Sequence, residues 1–358
     1  MKNYNVTKKE IIFNGIIYIC SFSFLFATAP SGKNDSWISI IIAAFLTIPI
    51  ILAIHLLFTY PGENFFEVIE NALGKILGKI LIIMLTLLNI STITFSLLKL
   101  INFIQIVLLF YTPIIVPLGC ILIAVYYMLH KSPKVMINFG QFIFVTALIF
   151  LFISTIFILK DANFYELLPI AHNTWNNIAK GTVEAMTSFS LIIFIPCLFE
   201  HVKDKQKMYK SLGAIVAFSL IIILVLAINN LTVLGVSQKG EFFFPKHELH
   251  RIMALGSMFQ RIEIILSSLF VFTELFKLSL YAYFLLASLK HLLPVSNYKV
   301  LLIPTLFMIA NNIIARHQSI LIPMDKENFY LEIVGISITY GFSFIVIFGS
   351  VFKKLFKT

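Results

Sequence analysis

The stretch Trp37-Ile-Ser-Ile-Ile-Ile-Ala-Ala-Phe-Leu-Thr-Ile-Pro-Ile-Ile-Leu-Ala-Ile-His-Leu-Leu-Phe58 runs across 22 residues with His55 as its one titratable side chain. About 20 apolar residues wound as a helix match the hydrocarbon thickness of a bilayer, so this run reads as a transmembrane span. Equivalent stretches flank it: Ile11–Ala29, Ile80–Leu109, Pro113–Leu129, Ile137–Leu159, Gly181–Leu198, Leu212–Val236, Ile262–Leu289, Val300–Ala315 and Tyr330–Phe352. The expectation is an all-α integral membrane bundle of about ten helices. Composition agrees, since 59% of residues are hydrophobic and 12% charged, against about 25% charged in soluble domains. The third run is long enough that it must tilt or project past the hydrocarbon.

Such continuous apolar runs leave no room for a soluble core, so residues 1–358 are read as a single transmembrane domain. The first run has no small-residue cleavage signature and is read as a retained span. The net charge of +10 suits either nucleic acid or an anionic membrane. Its distribution selects the membrane and excludes nucleic acid. With the N-terminus inside, sixteen Lys and Arg fall on the inner side, in segments such as Lys8–Lys9, Lys131–Lys134 and Lys203–Lys210, and nine on the outer side. Both termini are therefore expected in the cytoplasm. Cys20, Cys120 and Cys197 are scattered, with the spacing of neither a disulfide framework nor a metal site.

Between the second and third spans, Phe65, Phe66, Ile69, Ala72, Leu73 and Ile76 recur at helical spacing opposite Glu63, Glu67, Glu70 and Lys75. This predicts an amphipathic helix over about residues 63–76, lying either in the membrane interface or packed beneath the bundle. Asp161–Lys180, with Trp175, reads as a second interfacial segment on the outer side.

Several short motifs, in order along the whole chain, carry a resemblance. Asp35-Ser36-Trp37-Ile38 opens the second span and Tyr60-Pro61-Gly62 closes it. Leu73-Gly74-Lys75 with Gly78-Lys79 precedes the third, Thr112-Pro113 the fourth and Leu167-Leu168-Pro169 the sixth, and Arg261-Ile262-Glu263 opens the eighth. The chain resembles the spore germination permeases, the GerAB-like B subunits of nutrient germinant receptors, in the amino acid, polyamine and organocation transporter superfamily. The resemblance implies a LeuT-like arrangement of two inverted repeats of five helices, here about 11–159 and 178–352, with broken first and sixth helices around a small-molecule site. It also implies a place in the inner membrane of the endospore, with A-type and C-type receptor subunits and a small-molecule germinant as partners. The halves share no visible sequence identity. Where relatives carry glycines in the first helix, this chain reads Ser21-Phe22-Ser23.

Polar residues inside the spans are the candidate ligand groups. A charge at a helix centre costs about 2.5–3.5 kcal/mol on insertion scales and needs a partner or a cavity. Glu274 and Lys277, three residues apart in the eighth span, share a helix face with Thr273 nearby. They either line a polar pathway for a zwitterionic or ionic ligand or form an internal salt bridge. In the sixth span Thr187, Ser188 and Ser190 precede Pro196, which must disturb the helix. Those hydroxyls, like Ser21 and Ser23, serve either a ligand or helix packing. Lys99 and Glu184 are candidates of lower weight, Lys99 with the alternative of snorkelling to the nearer surface.

Catalysis finds no motif: no zinc-protease HExxH, no P-loop, no glycine-rich nucleotide fingerprint and no ordered Ser-His-Asp set. Neither a cofactor nor a metal is expected. Two classes stand: a subunit that binds a germinant and signals to partners, and a secondary transporter of amino acids or amines.

Overall fold

The computed structural model describes residues 6–171, 173–202, 208–239, 244–252, 262–293, 295, 297–317 and 324–355. These residues are helical, with no strand beyond a single bridge between Val6 and Val202. The lysines expected at positions 203–207, and Arg261 of the eighth-span motif, lie outside them.

Eight helical segments among the described residues are long and apolar enough to cross a membrane. They include α2 (Ser36–Leu46) continued by α3 (Ile48–Leu57), α5 (Lys75–Phe103), α7 (Pro133–Ile158) and α8 (Trp175–Ser190). The others are α9 (Met208–Lys239), α11 (Ile262–Leu292), α12 (Leu302–His317) and α13 (Met324–Leu355). The sequence expectation of about ten exceeds these by the first and fourth spans. Those correspond to α1 (Lys8–Cys20), which ends early, and α6 (Ile115–Lys131), which is a shorter apolar helix.

Large apolar side chains cover the outside of the bundle: Phe142, Phe152 and Phe348 are 67%, 70% and 72% exposed. Such a belt is unfavourable in water and matches hydrocarbon. The chain is an all-α integral membrane bundle. Contacts at its two ends alternate along the sequence. At one end the Val6 N–H donates to the His201 carbonyl at 3.1 Å, Lys134 pairs with Glu10 at 2.7 Å, and His291 meets Glu70 at 3.1 Å. At the other end Ser31 binds Glu184, and the Asn163 N–H donates to the Thr232 carbonyl at 2.7 Å.

The helix α4 (Phe65–Leu73) is capped by the Asn64 side chain and ends at Gly74, whose φ of 93° ordinary side chains rarely adopt. It is therefore shorter than the expected 63–76. Ile76, assigned to its apolar face, belongs to α5 and is 80% exposed. Phe65 and Phe66 are buried, and Phe66 packs edge-on against Phe284 of α11 at 5.3 Å. Between the two placements open in the sequence, α4 packs against the bundle.

Candidate ligand site at two broken helices

Two helices lose α geometry partway. At Ser21 α1 tightens into a 3-10 turn, Ser21–Phe24, and the chain then leaves the helix. No glycine is needed, because the local polar groups are satisfied: Ser21 Oγ donates to the Tyr18 carbonyl at 3.2 Å, and Ser23 Oγ lies 2.8 Å from Thr28 Oγ1. Likewise α8 passes at Leu191 into a 3-10 segment, Leu191–His201. Pro196 lies inside this segment; it supplies no N–H, and its ring would clash with the carbonyl of Ile192 in an α-helix. The disturbance thus begins five residues before the proline that signals it.

Between these breaks lies a cavity of about 120 Å³. Phe22 and Phe26 reach it from the first break, Thr187, Ser188 and Ser190 from α8, and Leu191 and Phe194 from the second break. Across from them stand Ser96 and Lys99 of α5, Glu274, Lys277 and Tyr281 of α11, and Glu332 of α13.

Glu274 and Lys277 are 2% and 4% exposed, and their charged groups are 2.8 Å apart. Ser96 Oγ donates to the other Glu274 oxygen at 2.6 Å. The pair is an internal salt bridge, one of the two readings weighed from sequence, and it also lines this mostly apolar cavity. Lys99 does not snorkel outward. Its ammonium lies 3.9 Å from the Phe95 ring centre and 4.2 Å from that of Phe22, a cation–π arrangement that suits a charge in apolar surroundings. The cavity wall thus carries two ammonium and two carboxylate groups, Lys99 and Lys277 with Glu274 and Glu332.

The hydroxyls are oriented. Thr187 Oγ1 donates to the Glu184 carbonyl at 2.7 Å and Ser190 Oγ to that of Thr187 at 3.0 Å. With their protons committed, they offer lone pairs to a donor such as an ammonium group.

The expected residues divide accordingly. Thr187, Ser188, Ser190, Glu274, Lys277 and Lys99 line one cavity; Ser21, Ser23, Thr273 and Glu184 do not. Ser21 bonds within its own turn, as the packing alternative held, and Thr273 does the same to the Phe270 carbonyl at 2.8 Å. Glu184 instead accepts the Ser31 N–H at 3.0 Å and its hydroxyl at 2.5 Å, tying α8 to the connection after the first break. Five polar lining residues escaped the sequence reading: Ser91, Thr92, Ser96, Glu332 and Thr339. Ser96 gives no signal alone among many span hydroxyls. Glu332 opens the tenth span, where a charge costs less than at a helix centre, so the rule that singled out Glu274 does not reach it.

A model of the spore germination proteins, the spore permeases, matches residues 5–320. The chain belongs to this family. No curated protein matches it. In this spore permease the motifs that carried the resemblance meet in space. Asp35, fully buried, accepts the Ala171 N–H at 2.8 Å and the Asn173 N–H at 3.1 Å. The opening of the second span therefore holds the loop that follows Leu167-Leu168-Pro169 and enters α8.

Proposed function

We propose that this spore permease is the membrane subunit of a nutrient germinant receptor, and that the cavity binds a small zwitterionic germinant of the amino acid type. One observation carries the reading: Lys99, Lys277, Glu274 and Glu332 converge on a single cavity at the two helix breaks. Two opposite charges beside aromatic rings suit a solute with a carboxylate, an ammonium and an apolar body. Size narrows the choice, because the cavity of about 120 Å³ is slightly smaller than the roughly 150 Å³ cavity known to take benzene. A solute on the order of six heavy atoms fits such a space; a disaccharide or nucleoside does not.

Binding triggers germination by favouring one of two arrangements of the broken helices, which requires unequal affinity for the two. The bundle is organised as two inverted repeats, about residues 11–159 and 178–352. Their first members, α1 and α8, are the helices that turn 3-10 midway, which supports the pairing. Both termini face the cytoplasm, in keeping with the lysine bias, and A-type and C-type subunits in the spore inner membrane read the change.

The test is germination of spores lacking this chain against a panel of amino acids, sugars and nucleosides, with the wild-type chain or the Glu274→Gln/Lys277→Met variant restored. Loss of response to a small amino acid, recovered by wild type and not by a membrane-inserted double variant, is the expected outcome. Unchanged germination with reduced uptake of a labelled amino acid would replace the receptor by a secondary transporter.

A further inference from the structure

A helix that stops inside a membrane leaves carbonyl oxygens without their intrahelical donors, at the end where the macrodipole is negative. At the break that ends α1, the carbonyls of the 3-10 turn and its cap include those of Ser23 and Leu25. Both are taken by one residue from a distant part of the chain. Helix α10 (Pro245–Ile252) lies between α9 and α11, and its Lys246 donates from Nζ to the Ser23 carbonyl. The Lys246 backbone N–H meets the Leu25 carbonyl at 3.4 Å.

Lys246 is 2% exposed, the most buried lysine among the described residues. The open space beside it, between Phe24, Ser154, Asn229 and His250, amounts to about 10 Å³. That is at the lower limit for a single water, so the charge meets the carbonyl directly and no hydrated ion fits alongside it. Aromatic packing extends the same junction to the ligand cavity. Phe244, two residues before Lys246, packs edge-on against Phe26 at 5.6 Å, and Phe26 packs against Phe270 at 6.0 Å. Phe26 and Phe270 both line the cavity.

We propose that the carbonyl end of the first broken helix is a site for a small monovalent cation of the primary ammonium class, and that Lys246 fills it covalently. The chain thereby holds the Phe22–Phe26 wall of its cavity in place without a free ion. Lys246 is a positioning residue; it acts through the break and contacts no ligand. This inference stands apart from the identity of the solute, and its test does not use germination.

The experiment measures the thermal midpoint of the purified full-length chain in chloride salts of choline, sodium, potassium and methylammonium at equal ionic strength. Wild type and Lys246→Arg keep one midpoint in all four. Lys246→Ala melts earlier in choline, which is too bulky for the vacated space, and recovers saturably with methylammonium. Lys246→Gln, a neutral donor, stays low in every salt. A second readout is labelling of Cys20, the buried last residue of α1, by a small thiol reagent in a Cys120→Ser/Cys197→Ser background. Its rate rises about tenfold in Lys246→Ala and falls back with methylammonium, as for a local opening closed by a bound ion. The proposal is overturned if Lys246→Gln behaves like wild type, if wild type itself is stabilised saturably by one of these cations, or if methylammonium does nothing for Lys246→Ala. Should the alanine variant fail to fold, the Gln and Arg variants decide alone, since equal behaviour of the two removes the need for charge.

Discussion

Removing either partner of the Glu274–Lys277 pair should destabilise the bundle far more than removing both. Both groups are under 5% exposed, so the survivor of a single substitution is left without its counter-charge in an apolar interior, and breaking a buried pair in this way costs roughly 3–5 kcal/mol. Lys277→Met and Glu274→Gln are each expected to lose about that much. The double variant leaves no orphan charge, and Ser96 can still donate to the side-chain carbonyl of the introduced glutamine. It should cost on the order of 1 kcal/mol, a coupling of several kcal/mol between the sites. Titration with sodium dodecyl sulfate in mixed micelles reads all three. Additive losses would refute the reasoning, because they would mean that water reaches the pair and carries its charges.

Two further outcomes follow from packing and protonation. A Cβ at Gly140 would collide with Asn14 Oδ1 and lie 2.5 Å from Phe276 Cε2, so Gly140→Ala must push α7 away from α1 and α11 and should cost about 1–3 kcal/mol. Gly119→Ala, with nothing within 4 Å, is the control in the same titration, and equal effects would contradict the close approach. His250 sits on α10, outside the spanning segments, and burial pushes its pKa down from 6.5 to about 4. Between those values the unfolded chain binds more protons than the folded one, so stability falls as pH falls. The loss from pH 7 to pH 5 should be about 2 kcal/mol, and His250→Gln should remove that part of the slope. An unchanged slope would show that His250 is solvated.

What was legible in advance was what the solvent imposes. The run 37–58 had to become helix because lipid offers no partner to a bare N–H or carbonyl, and α2 with α3 fills that stretch. Glu274 and Lys277 were legible for a related reason, since charges three apart in an apolar span share a face and must be paired. The break of the sixth helix was half legible: Pro196 announced it, and the α-helix gave way at Leu191, because the clash falls on a carbonyl one turn earlier. The first break lacked its signal. Its Ser23 and Leu25 carbonyls are met by Lys246, more than two hundred residues away in sequence, and no local pattern in Ser21-Phe22-Ser23 encodes that.

By itself the sequence determined the membrane, the helices and the family, because each depends on composition or local order along the chain. Only the tertiary structure decided which polar groups share a space. It turned Lys99 inward onto Phe22 and Phe95, brought Ser96 to the pair on α11 and Glu332 to the same cavity, and left Ser21, Ser23 and Thr273 off the cavity wall. A hydroxyl in lipid must find a partner, but whether it finds its own helix or a cavity depends on where helices cross, and that is set by packing between distant segments.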